Sequence, residues 1–201
     1  MKPYQVYVWL GLCSLTFSVS PTLALAVDET LNRPSEWASP LQAEGLHNFY
    51  KVSEHLYRAA QPKETGYEAL AQLGVGTVLN LRQYHLDHPP VEPGVQAMQF
   101  KHVSMNAGNF TEQQVLEALS VIAESPKPVL VHCLHGSDRT GTIVAMYRMV
   151  CQGWNKQQAL DELMTGGYGY HRFFANIPEF IESVDVPAIR AQINGVGCPA
   201  T

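Results

Sequence analysis

Short β-branched runs alternate with helically spaced stretches along most of this chain, and the alternation predicts strands interleaved with helices. Residues 49–52 and 56–58 read as two short strands around Ser53-Glu54, closed by the Gln61-Pro62 break. Residues 64–73 have helical spacing ended by Gly74, and Val75 to Leu81 ("VGTVLNL") reads as a buried strand. A proline-bearing loop covers 82–95, and 99–105 form another strand. Thr111 and Gln114 make a capping box that opens a helix to about Glu124. A strand follows at 128–132, then a helix over about 139–152 stopped by Gly153, a helix over 155–165, and a last helix from Pro178 to Val184 or beyond. The pattern implies an α/β fold, a central and mostly parallel sheet flanked by helices.

The two ends depart from this pattern. Met1-Lys2 is a short basic segment, 6–19 is largely apolar, and Ala24-Leu25-Ala26 has the A-x-A form of a cleavage site, so 1–26 reads as a secretory signal peptide. The competing reading, a membrane anchor, suffers because the unbroken apolar stretch is shorter than the roughly 20 residues that span a bilayer. Residues 27–45 read as a flexible lead-in with Pro34 and Pro40, 46–190 as one domain, and 191–201 as a C-terminal tail. These ends place the mature protein in the periplasm or outside the cell, with no stable membrane insertion after cleavage.

The chain carries a formal charge of −5, and Lys2 is the lone charge in 1–26, so the remainder is one unit more negative. That balance argues against nucleic acid or anionic membrane as a partner. Beyond the signal segment stand Cys133, Cys151 and Cys198. An odd count in an oxidising compartment leaves one thiol unpaired, and Cys133 is the candidate; whether Cys151 and Cys198 pair stays open.

Candidate chemistry is concentrated in 131–141, "VHCLHGSDRTG", between the strand at 128–132 and the next helix. A strand-to-helix turn of this kind directs free amides, and the positive end of a helix, at one point. Five residues separate Cys133 from Arg139. A loop of that length can curl so that the amides of Leu134, His135, Gly136, Ser137 and Asp138 converge as a phosphate cradle. Gly136 permits a backbone conformation closed to other residues, and Gly141 allows the helix to approach the sheet. Arg139 supplies a planar fork for two phosphate oxygens. A cysteine inside such a ring of donors is expected to ionise at neutral pH. Cys133 is then the nucleophile for attack on phosphorus, with Thr140 hydrogen-bonding the sulfur as it leaves. His132 points away from Cys133 by strand alternation and is expected to orient the loop.

The pattern H-C-x-x-G-x-x-R-T-G resembles the signature of the cysteine-dependent tyrosine and dual-specificity phosphatases. The likeness extends to 49–53, to Leu56-Tyr57-Arg58-Ala59, to Ala145-Met146-Tyr147-Arg148, to Gln152-Gly153-Trp154 and to Gly166-Gly167-Tyr168-Gly169. Together these resemble the exported bacterial phosphatases of the TpbA type over roughly 45–185. The resemblance implies a compact dual-specificity-phosphatase-like fold and a phosphorylated protein as substrate. The phosphoresidue would be phosphotyrosine, with phosphoserine and phosphothreonine as further options. It also implies no cofactor and no metal, and the protein is expected to be a monomer.

One part of that family's equipment is missing. A departing oxygen needs a proton, and the family carries an aspartate between the strand at 99–105 and the helix opened by Thr111. Here that loop is Asn106-Ala107-Gly108-Asn109-Phe110, without a carboxylate. Asp138 is one substitute, at a position where myotubularin-type and Sac-type phosphatases also carry aspartate; otherwise it caps the helix start. Asp87, swinging over the site from its loop, is another; otherwise it is a solvated loop residue. Arg82 is expected to pair with a carboxylate rather than form pocket wall. His85 and His88 flank Asp87 in a flexible polar loop without a second cluster to make a metal site. Tyr168, Tyr170 and His171 either rim the mouth or pack on the core.

Competing functions are an inositol-polyphosphate phosphatase, a phosphoprotein-binding module without turnover, and a rhodanese-like sulfurtransferase. The first wants more permanent positive charge near the loop, the second has no need of Cys133, and the third ordinarily has a shorter loop.

Overall fold

The computed structural model describes residues 33–193 and Cys198. The signal-peptide reading of 1–26 lies outside them. The elements in chain order are strands β1 (Ser39–Pro40), β2 (Tyr50–Ser53) and β3 (Leu56–Ala59), helix α1 (Glu64–Gln72), strand β4 (Thr77–Arg82) and the short helix α2 (Pro93–Gln96). Then come β5 (Gln99–Met105), α3 (Glu112–Glu124), β6 (Val129–His132), α4 (Asp138–Cys151), α5 (Lys156–Thr165), α6 (Asn176–Ser183) and α7 (Val186–Ile193).

The strands form one sheet in the order β1-β2-β3-β6-β4-β5 among the described residues. β3, β6, β4 and β5 run parallel, and β1 and β2 add antiparallel at one edge. β6 lies between β3 and β4, so the strand that delivers Cys133 is the most enclosed, and all four of its residues are buried. Side-chain alternation along a strand explains the two cores. Leu79 and Leu81 of β4 and Val129 and Val131 of β6 face one cluster, with α3, α4 and the later helices; Val78 and Leu130 face the other, with Tyr67 and Leu70 of α1.

Helix α4 is enclosed on nearly every side, and all of it except Arg139 and Cys151 is buried. A helix of that kind has to be wrapped by others, and α3, α5, α6 and α7 wrap it. Two capping boxes fix their neighbours' starts: Thr111 with Gln114 before α3, and Asn155 with Gln158 before α5. No helix among the described residues is long and apolar enough to cross a membrane.

The ends differ from the sequence expectation. From Arg33 onward the lead-in is packed: Ala38 is buried and its N–H donates to Glu162 Oε1 at 2.7 Å, while Arg33 Nη1 donates to the Gly166 carbonyl. The acceptors lie more than a hundred residues away, beyond any local pattern. The last helical stretch is two helices, and the second runs past 190 into the expected tail. Pro187 near the start of α7 occupies a turn where a missing N–H costs nothing. Cys198 is bonded to Cys151, with Cα atoms 5.3 Å apart, and Cys133 is left as a free buried thiol.

Candidate active site

Cys133 follows the C-terminal end of β6 directly, and α4 begins five residues later at Asp138. The first amides of a helix have no intrahelical acceptor, and Ser137 at the N-cap supplies none from its side chain. Its Oγ instead donates to the Tyr168 carbonyl at 2.6 Å.

The loop is shaped from outside by donors to its carbonyls. His132 Nδ1 donates to the Cys133 carbonyl (3.2 Å), the Gln61 N–H to Leu134 O (3.1 Å), Asn48 Nδ2 to His135 O (2.9 Å), Arg58 Nη2 to Gly136 O (2.7 Å), and the Gly141 N–H to Ser137 O (2.8 Å). In a planar trans peptide the carbonyl and the next N–H point in opposite directions. Anchoring these five oxygens therefore turns the amides of Leu134, His135, Gly136, Ser137 and Asp138 to the other side, where the cradle is expected. Gly136 has φ +74°, and a β-carbon there would stand 2.6 Å from the Ala59 carbonyl and the Ala60 nitrogen. At Gly141 a β-carbon would meet Leu163 of α5 at 3.0 Å and Arg58 at 3.8 Å. The close approach is thus to a neighbouring helix and a buried arginine, not to the sheet backbone.

Among the described residues, the buried side-chain polar atoms without a hydrogen-bond partner are Arg58 Nε, Arg139 Nε and Thr140 Oγ1. Two belong to the signature and the third lies beneath it. Cys133 is 1% exposed. Arg139 is partly buried, and its Nη1 donates to the Met105 carbonyl at the end of β5 (3.3 Å). Leu134 and Arg139 line a cleft of about 310 Å³ with Arg82, Gln83, Tyr84 and His85. Arg82 donates to the Gln61 amide oxygen at 3.1 Å; it belongs to the wall, and the expected carboxylate partner is replaced by Gln61. Tyr84 and Leu134 are the exposed large apolar side chains of this lining.

Asp87 requires a correction. It neither swings over the site nor floats in solvent: its side chain is buried, with Oδ1 accepting from Gln61 Nε2 (2.8 Å) and Tyr67 Oη (2.9 Å) and Oδ2 from His132 Nε2 (3.0 Å). Burial alone would raise this carboxyl, but the hydrogen bonds and charge of His132, helped by Gln61 and Tyr67, hold it at about 2. An acid so weakly protonated at neutral pH is a poor proton donor, and Asp87 instead fixes His132 from behind. Burial, reinforced by Asp87, pushes the Tyr67 phenol up, so it remains a donor.

Asp138 is also placed differently from either expectation. Its carboxylate neither stands free in the cradle nor caps the helix, because Oδ1 accepts from the His171 N–H and Oδ2 from His171 Nδ1, both at 2.9 Å. His171 therefore sits beside the signature loop, its ring centroid 5.5 Å from that of His135, while Tyr168 packs inward, 2% exposed. Tyr170 donates to the Phe174 carbonyl.

Beneath the loop lies a network that sequence reasoning missed. The Arg58 guanidinium, 1% exposed, stacks 3.5 Å from the Tyr168 ring centroid. The Tyr168 hydroxyl donates to Glu162 Oε1 (3.0 Å), and Arg148 holds Glu162 through Nε (2.8 Å) and Nη2 (2.9 Å). Burial pushes Arg58 down, opposed by the electrostatics of its neighbours Tyr168 and Glu162, and an arginine there stays charged. Burial would raise Glu162, but Arg148 holds it below the usual carboxylate range. Arg58, Arg148 and Tyr168 each fall in runs that carry the family resemblance, but nothing in those runs shows that they meet.

The comparisons agree with this geometry. The family described as "DSP-PTPase phosphatase fused to NAD+ Kinase" matches residues 38–171. The dual specificity protein phosphatase TpbA of Pseudomonas aeruginosa is 33% identical over 178 residues, covering 87% of this chain and 79% of the relative. The crystal structure of a cysteine-to-serine variant of P. aeruginosa TpbA in complex with pTyr is 30% identical with a TM-score of 0.67, covering 81% of this chain and 98% of that one. The catalytic core of the PP-IP phosphatase Siw14 of Saccharomyces cerevisiae shares the fold at 24% identity and TM-score 0.64, covering 77% of this chain and 95% of that one. The chain belongs to the dual-specificity protein phosphatase family and is a cysteine-based phosphatase of the TpbA-like kind.

Proposed function

We propose that this protein is an exported phosphatase that hydrolyses phosphotyrosine, with phosphoserine and phosphothreonine as further substrates, through a phosphocysteine intermediate on Cys133. The observation that carries the reading is the outward anchoring of five consecutive carbonyls, which leaves five amides to bind one tetrahedral anion. The Cys133 sulfur attacks phosphorus in line while those amides and the Arg139 fork hold the equatorial oxygens. In the second step water attacks phosphorus and the sulfur leaves, with Thr140 Oγ1 as the hydroxyl available to it.

The pTyr complex of TpbA supports phosphotyrosine, as do the exposed Tyr84 and Leu134 side chains in the cleft lining. Export is supported by the signal-like 1–26 and by the Cys151–Cys198 bond, since such bonds persist in oxidising compartments. Arg82 in the cleft wall favours a second reading, an inositol-polyphosphate phosphatase. Purified protein assayed with phosphotyrosyl, phosphoseryl and phosphothreonyl peptides and with inositol hexakisphosphate separates the two. Turnover of the peptides abolished by Cys133→Ser supports the main reading, and turnover of the inositol phosphate alone overturns its substrate.

A further inference from the structure

The site described above lacks a proton donor for the leaving oxygen. Within the cleft-side loop that bears it in relatives, residues 106–110 have no carboxylate, and Asn106 spends its amide on Gln83 Oε1 and the Gly108 N–H. The segment packed against that loop does carry a titratable group. A β-carbon on Gly108 would stand 3.7 Å from the Phe174 ring, and Asn176 Nδ2 donates to the Ala107 carbonyl at 2.9 Å. Three residues before Phe174 is His171, held by Asp138 through both its backbone N–H and Nδ1. Its ring lies beside His135 of the signature loop and Phe173 and is 40% exposed, whereas the Asp138 side chain is 8% exposed.

We propose that His171 is the general acid and base of this phosphatase and that Asp138 is a positioning residue acting through it. This rests on the phosphocysteine reading. A carboxylate accepting from Nδ1 fixes the orientation of the ring, so Nε2 is the ring nitrogen left to transfer a proton. In the first step the Cys133 thiolate forms the S–P bond, the P–O ester bond breaks, and the departing oxygen takes the Nε2 proton. In the second step water attacks phosphorus, returns a proton to Nε2, and the S–P bond breaks to restore the thiolate and release phosphate. The charged or titratable neighbours of His171 are Asp138 on α4, His135 in the signature loop and Arg172 beside it in sequence. Asp138 is the sole anion among them.

The test compares phenyl phosphate, whose leaving group needs a proton, with 2,4-dinitrophenyl phosphate, whose leaving group does not. His171→Gln is expected to lower kcat on phenyl phosphate by about 10²-fold or more while changing the dinitrophenyl ester by less than about 3-fold. Asp138→Asn is expected to act in the same direction on the ratio of the two substrates, a readout that a merely structural role would not move. The ratio of two substrates within one variant is insensitive to partial misfolding. Equal losses on both substrates overturn the proposal, as does a discrimination produced by His135→Gln and absent from His171→Gln. Cys133→Ser is run alongside: its inactivity on both esters, together with an equal loss in His171→Gln, discards the histidine and keeps the phosphocysteine, whereas residual turnover in Cys133→Ser discards the phosphocysteine itself.

Discussion

Asp87 Oδ2 stands 3.0 Å from His132 Nε2, and His132 Nδ1 in turn holds the carbonyl of Cys133. A carboxylate in the loop after β4 thus fixes the backbone at the nucleophile through one imidazole. The linkage has a pH signature. A carboxyl held at about 2, against about 3.9 in an unfolded chain, contributes stability that is fully present above pH ~4 and is lost as pH falls toward 2. Asp87→Asn is expected to lower stability by about 1–2 kcal/mol at pH 7 and to flatten the dependence between about pH 4 and pH 2. Urea unfolding of the two proteins across that range checks it; parallel curves would remove Asp87 from this role.

The Arg148–Glu162 pair is buried and bidentate, and Glu162 also holds the Ala38 N–H and the Tyr168 hydroxyl. Removing one partner leaves the other charge buried and unpaired. Glu162→Ala is expected to cost about 3–5 kcal/mol in chemical denaturation. A loss below about 1 kcal/mol, the size of an exposed pair, would show that the network is not anchored as described.

Gly136 has a left-handed backbone pressed against Ala59 and Ala60. Gly136→Ala has to shift the loop, and with it the amides aimed at the phosphoryl group. A fall in kcat on the order of 10²-fold, the size of losing one oxyanion donor, is expected in steady-state assays. Wild-type kcat in this variant would mean that the loop's curvature does not matter to turnover.

The two kinds of cysteine should respond oppositely to reductant. Peroxide is expected to inactivate the protein at Cys133, with dithiothreitol restoring activity. The same dithiothreitol is expected to lower the melting temperature by opening the Cys151–Cys198 bond, which spans 47 residues and contributes about 4 kcal/mol. The Cys151→Ser, Cys198→Ser double variant should then melt at a temperature independent of reductant. If its melting still tracks reductant, the bond is not the source.

Much of this arrangement was legible in the chain, for reasons tied to particular residues. The strand-turn-helix around Cys133 announces itself because a short β-branched run gives way, across a Gly-bearing loop, to a longer run with helical spacing. Thr111 announces α3 through Gln114. What stayed hidden depends on contacts between distant segments. Arg58 reaches Gly136 across 78 residues, and nothing local distinguishes it from a surface arginine on an edge strand. Asp87 sits in a polar, proline-bearing loop whose composition suggests solvent, yet three donors draw it inward. Asp138 read as a free acid or a helix cap because its partner, His171, is 33 residues downstream.

The most direct test of the central claim is rapid acid quench of the protein with a phosphotyrosyl peptide carrying labelled phosphate, followed by mass mapping of the labelled residue. The expected result is one phosphoryl group per chain on Cys133, formed within the first turnover and absent from Cys133→Ser. Full turnover with no label on Cys133 at any time, together with activity in Cys133→Ser, would contradict it.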